Sequence, residues 1–267
     1  MKYALIALLL TAICVAQETP SAPNTSDASS QIPVDQANQQ KAKAVLDTSI
    51  QALGGTAYLN WTDQEVQGRG YTFHHGRPNS AGVLFWRFRK FPDKERIEFT
   101  KKRDVVQIYN GNKGYEVTYK GVRNLDQKDE LDKYLRRRHY SLDSVLREWL
   151  SQPGIALFYE GRTIAAQKEA DQVTVMNSKN EAVTLFMDIN THLPIKKSFK
   201  WRDPVDRQLN VEEEIFDNYR PVGNIMTAFD VTRTYNGEMA AQSFMTDAKY
   251  NQGLSDTLFD PEAARKK

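Results

Sequence analysis

Cysteine is almost absent from this chain, with Cys14 alone among 267 residues. It falls in an N-terminal stretch built like an export signal. Lys2 supplies the positive start, Ala4 to Val15 the apolar run, and Cys14-Val15-Ala16 a small-x-small cleavage site before Gln17. Lipid attachment at Cys14 calls for a small residue before it, whereas Ile13 stands there. Cleavage after Ala16 into a soluble periplasmic product is therefore expected. That product has no thiol, so disulfides and a cysteine nucleophile are excluded and the fold must rest on its core. The apolar run of the signal is too short to span a membrane.

A surplus of one charge sign is also lacking. The formal net charge is +2, which gives no electrostatic case for nucleic acid. Catalytic signatures are missing as well. Gly253-Leu254-Ser255-Asp256-Thr257 lacks the second glycine of a nucleophile elbow, and Gly111-Asn112-Lys113-Gly114 lacks phosphate-loop spacing. His74-His75 has no His-Glu-x-x-His around it, and neighbours on a strand point to opposite faces. The reading is no metal, no cofactor and no enzyme. Glu212 and Glu214 share a strand face, where a solvated outer surface paired with Lys or Arg is favoured over a hydrolytic carboxylate pair. Lys101-Lys102-Arg103 and Arg136-Arg137-Arg138-His139 suit anionic lipid headgroups or a docking partner; helix-dipole compensation and plain solvation explain the second equally well.

From Gln17 to Gln40 there is no aromatic residue, no Lys and no Arg, so this stretch reads as a disordered linker. The organisation expected is a signal over 1–16, that linker over 17–40, one folded domain over 41–251 and a C-terminal tail over 252–267.

The domain starts with a helix carrying Ala44, Val45, Thr48, Ile50, Ala52 and Leu53, stopped by Gly54-Gly55. The period then changes to two. Leu84, Trp86 and Phe88 alternate with Phe85, Arg87 and Arg89, and Asn110 to Gly114 joins two strands as a hairpin. Tyr115, Val117 and Tyr119 fall on one face of its second arm, which something must cover. The helical segment from about Asp126 to Leu150 is the expected cover, with Leu135, Leu142 and Trp149 on its apolar stripe. Strands resume after Pro153-Gly154 and continue to Tyr250. So many strands with helices only at the start and middle imply a mainly β (α+β) fold, a large curved antiparallel sheet.

Three stretches carry a resemblance. Ala52-Leu53-Gly54-Gly55, Asp188-Ile189-Asn190-Thr191-His192-Leu193-Pro194-Ile195-Lys196 and Glu214-Ile215-Phe216-Asp217-Asn218-Tyr219-Arg220-Pro221-Val222-Gly223-Asn224-Ile225 resemble the periplasmic outer-membrane lipoprotein-sorting superfamily, the LolA/LolB-like carriers. The likeness covers most of the chain from Lys41 to about Asn251 and implies an unclosed half-barrel with helices lidding the concave face. It implies an apolar interior that receives lipoprotein acyl chains or lipid, and a membrane-associated exporter or receptor as partner. The residues expected to line that cavity are Leu84, Trp86, Phe88, Tyr115, Val117 and Tyr119, with Leu135, Leu142 and Trp149 in the lid. The alternative is an envelope sensor or accessory interaction domain on the same scaffold.

Overall fold

The computed structural model describes residues 34–79, 81–125 and 130–265. The export signal, most of the linker and residues 126–129 of the expected helical segment lie outside these. The described residues belong to one compact unit beginning at Val34, inside the stretch read as linker.

Two helices open it, α1 (Val34–Leu53) and α2 (Thr56–Asn60), followed by strands β1 (Asp63–His74), β2 (Arg77–Pro78), β3 (Val83–Lys90), β4 (Lys94–Phe99), β5 (Val105–Asn110), β6 (Lys113–Thr118) and β7 (Gly121–Asn124). Helices α3 (Asp132–His139) and α4 (Leu142–Arg147) come next. Then follow β8 (Ala156–Ala165), β9 (Lys168–Met176), β10 (Ala182–Asp188), β11 (Pro194–Arg202), β12 (Leu209–Val222), β13 (Ile225–Tyr235), β14 (Glu238–Tyr250) and the short α5 (Pro261–Arg265). The strands form one antiparallel sheet in the order β7-β6-β5-β4-β3-β1-β14-β13-β12-β11-β10-β9-β8, with β2 attached to β1.

The sheet is strongly rolled. Strands β5 and β12 stand six places apart in that order, about 29 Å in a flat sheet at ~4.8 Å per strand. Yet Tyr134 and Arg137, one turn apart on α3, touch both. Tyr134 stacks on Tyr109 of β5 with ring centroids 3.4 Å apart, and Arg137 reaches Glu212 of β12 at 3.0 Å. Only a sheet curled toward the helices brings those strands within reach of one helix face. The edges, β7 and β8, remain unjoined, which makes an open half-barrel with the helices on its concave face.

Helix α1 lies along the β8 side of that face. Its buried stripe is Ala42, Leu46, Ser49, Ile50 and Leu53, spaced as a helix requires. Ala42, Leu46 and Ser49 replace Ala44 and Thr48, which the sequence pattern placed on this face and which are exposed. Asn38 also blunts the open edge. Its side chain donates to the Tyr159 carbonyl at 2.8 Å and accepts from the Tyr159 N–H at 2.9 Å, mimicking the strand that β8 lacks. Gly54 ends the helix at φ 126°, and a Cβ there would fall 2.1 Å from the Asn224 carbonyl oxygen. That close approach seats α1 on the β12–β13 hairpin.

The stretches that carried the resemblance meet in space. Asp188 Oδ1 accepts from the Asn190 and Thr191 N–H groups at 2.8 Å and fixes the β10–β11 turn, while Tyr219 donates to the Pro194 carbonyl at 2.7 Å. Residues 252–265, expected as a tail, pack on the convex face. Phe259 is fully buried against Val106, Ile108 and Val117, and buried Asp63 accepts from the Gln252 and Gly253 N–H groups at 2.7 and 3.0 Å.

Candidate functional site

The chain leaves the sheet at one open edge, β7, and rejoins it at the other, β8. In between, α3 and α4 cross the mouth of the half-barrel. Ser141 starts α4 by accepting from the Ser144 N–H at 3.1 Å, and its apolar side, Val145, Leu146 and Trp149, enters the main core with α1, β9 and β10. Helix α3 is different. It has no buried residue and is fixed by polar and aromatic side chains.

Those side chains meet a charged interior. Glu212, 2 % exposed, accepts from Arg136 Nε at 3.3 Å and Arg137 Nε at 3.0 Å. The Arg136 guanidinium carbon lies over the Trp201 ring, 3.4 Å from its centroid. Lys197, 1 % exposed, pairs with Glu214 at 3.2 Å and donates to the Tyr140 carbonyl at 2.7 Å, tying the sheet to the link between α3 and α4. Arg87 sits 3.3 Å from Glu95, which also accepts from the Tyr134 hydroxyl at 3.3 Å. Lower in the interior, Arg89 reaches Asp143 of α4 at 2.9 Å and Tyr58 donates to the same carboxylate at 3.0 Å.

The upper group contains Arg87, Arg136, Arg137, Lys197 and Arg233 against Glu95, Glu212 and Glu214, five basic groups to three carboxylates. This imbalance is felt. Burial raises the Glu214 carboxyl, but Lys197 and Arg233 outweigh it and hold it below the usual carboxylate range. Burial and the charge of Arg137 push Arg233 down to about 10, Arg87 adding to this against the pull of Glu214 and Glu212. At Arg89 burial is overcome by Asp143 and Glu95, and the guanidinium is held charged.

The sequence-predicted site residues divide by face. Leu135 packs beside Tyr109, Leu125 and Leu131, while Leu142 and Trp149 join the main core, so all three lie on the concave side. Leu84, Trp86, Phe88, Tyr115 and Val117 do not lie beneath them. Strand parity pairs Trp86 with Glu98 and Val106 with Val117, placing this set on the convex face. There Phe88, Tyr115 and Val117 are covered by the C-terminal segment, Arg103 lies over Trp86, and Tyr119 is 91 % exposed. The six therefore do not form one cavity under the lid. The apolar alternation of Phe88, Tyr115 and Val117 reflects a surface clothed by residues 254–264, a partner that is distant in sequence.

The reading of Glu212 and Glu214 as a solvated outer pair is corrected in the same way, since both face the interior. So does part of the Arg136-Arg137-Arg138 cluster, of which Arg138 instead caps the β5–β6 turn by donating to the Gly111 carbonyl at 2.7 Å. His75 lies beyond the strand in a left-handed turn at φ 48°, so the His74 and His75 rings lie 4.3 Å apart, tilted by 58°, rather than on opposite faces. Among the described residues no group of three or more His, Cys, Asp or Glu is placed to hold a metal. Two clefts border α3 and α4. One of about 40 Å³ lies between Arg89, Phe91, Glu95, Tyr134 and Asp143, and a wider groove of about 360 Å³ runs past Asp93, Asn112, Arg138 and Glu148.

No protein-family model matches the chain, and no curated protein matches its sequence. Solved structures do match. A DUF1329 family protein from Desulfovibrio piger superposes with a TM-score of 0.59 at 14% identity, over 83% of this chain and 98% of that one. A putative outer membrane lipoprotein-sorting protein domain from Vibrio parahaemolyticus gives 0.58 at 11%, over 84% and 99%. A LolA superfamily protein from Nitrosomonas europaea gives 0.51 at 11%, over 83% and 98%. The fold is the LolA-like half-barrel. The likeness spans nearly the whole of each of these structures, and it agrees with the resemblance read from the three sequence stretches. No helix among the described residues is long and apolar enough to cross a membrane.

Proposed function

We propose that this protein is an exported periplasmic carrier that takes an acyl chain of a lipid or lipoprotein into the half-barrel, beneath α3 and α4. One observation carries the reading. The cover spans the two open edges of the sheet and is attached by side chains alone, so it can lift without breaking a strand pair. The LolA-like fold supports the same reading. The cleft of about 40 Å³ is far below the ~300 Å³ at which ligand pockets begin, and the groove of about 360 Å³ is lined mainly by polar side chains such as Asp93, Asn112, Arg138 and Glu148, so an acyl chain enters by displacing the cover and the empty protein is the closed state. Cargo and cover then compete for Leu185, Val183 and Phe199, now buried under the helices.

Native mass spectrometry of the delipidated protein after incubation with phospholipid vesicles tests this. The carrier retains a stoichiometric lipid adduct. A protein that stays empty, yet captures a periplasmic protein segment, would instead be an interaction or sensor domain on this scaffold.

A further inference from the structure

The interior holds more basic charge than its own carboxylates neutralise, and the surplus is localised. Both oxygens of Glu212 are taken by Arg136 and Arg137, and Glu214 by Lys197. Arg233 forms no ion pair among the described residues. Its Nε is buried without a hydrogen-bond partner, and the Nε of Arg87, although 3.3 Å from Glu95, makes no hydrogen bond to it. An orphaned buried guanidinium N–H leaves its desolvation uncompensated. Arg233, in a group with surplus positive charge, calls for an acceptor that the described residues do not supply.

The walls beside it carry small residues. Strands β1 and β14 separate Arg87 on β3 from Arg233 on β13. At the level of Arg233 they present only the small residues Gly70, Ala241 and Ser243 to the interior, with the Phe85 ring beside Gly70. Arg137 of α3 is paired with Glu212 next to it, close enough for its charge to act on Arg233. A guanidinium fork fits a tetrahedral oxyanion through paired N–H donors, and a surplus of two positive charges matches a phosphate monoester.

We infer that Arg87, Arg233 and Arg137 form a phosphate site on the concave face of the half-barrel, which selects a phosphate-bearing headgroup. In the cargo-carrying reading, on which this rests, the acyl chain lies along the interior and its phosphate seats between the arginines. Occupancy neutralises Arg233 and draws Arg137 from Glu212, linking headgroup recognition to release of α3.

Isothermal titration of the full-length exported protein with dihexanoyl phosphatidic acid, dihexanoyl glycerol and inorganic phosphate tests the site. Phosphatidic acid is expected to bind at least tenfold more tightly than the neutral lipid. That preference should fall at least tenfold in Arg233→Gln and in Arg87→Gln, with the Arg233→Gln protein melting at or above the parent temperature because an uncompensated charge is gone. Phosphate binding that is lost in both variants, without binding of either lipid, upholds the site and sinks the carrier reading. Equal binding of charged and neutral lipid by all three proteins overturns the site and leaves the carrier reading standing. Arg233→Gln melting well below the parent with its preference unchanged makes Arg233 a structural group, and also overturns it.

Discussion

Replacing Glu212 by Gln should detach α3 while leaving the sheet intact. The carboxylate is 2 % exposed and receives two charge-assisted hydrogen bonds, at 3.3 Å from Arg136 and 3.0 Å from Arg137. Such bonds contribute about 1.5–3 kcal/mol each, so ~3–6 kcal/mol is the ceiling. The Arg137 side chain is 32% exposed, and solvent screening reduces its share. Loss of one partner also strands Arg136 over Trp201 in a group that already holds surplus positive charge. A net loss of about 3 kcal/mol follows. Urea unfolding measures the total, and hydrogen exchange followed by mass spectrometry locates it. Amides of α3 should exchange faster by one to two orders of magnitude, with β9 to β13 unaffected. A loss below about 0.5 kcal/mol, or faster exchange spread evenly over the sheet, would refute the view that Glu212 latches the cover.

Three further outcomes are expected. Asn38→Ala removes both hydrogen bonds to the Tyr159 backbone and should cost about 1–2 kcal/mol by urea unfolding, with raised aggregation as the β8 edge is uncovered. Phe259→Ala empties a fully buried site and should cost about 3–5 kcal/mol, with limited proteolysis cutting residues 252–265 first. Glu214 and Asp188 both have carboxyls held below their ordinary range, by Lys197 in one case and the Thr191 and Asn190 N–H groups in the other, against the opposing effect of burial. The unfolded chain therefore binds more protons on acidification. Stability from these groups is complete above about pH 4.5 and is lost as pH falls toward the folded values, so melting temperature should drop below that point, less steeply in Glu214→Gln.

The sheet was legible because its signals are local. Alternation marked the strands, and glycine and asparagine turns such as Asn110 to Gly114 joined neighbours that pair in the structure. The open half-barrel came from the likeness in the Asp188 to Lys196 and Glu214 to Ile225 stretches, whose Tyr219 to Pro194 hydrogen bond explains why those residue types belong together. Face assignment failed where a distant segment decided it. Trp86, Phe88 and Tyr115 look like a cavity lining until residues 254–264 are laid over their face. Arg87, Glu212 and Glu214 look like the wet side of a strand, since alternation cannot distinguish water from an interior filled with opposite charges. Arg233 and Lys197 carried no signal at all, because their meaning depends on α3 crossing from β5 to β12.

Hydrogen exchange of the lipid-loaded against the delipidated protein tests most directly whether cargo enters beneath the helical cover. Loading should speed exchange in α3 and α4 at least tenfold while the strands of the sheet keep their protection. Equal exchange in those helices, with lipid demonstrably bound, would contradict the account and move the binding surface to the convex side of the sheet.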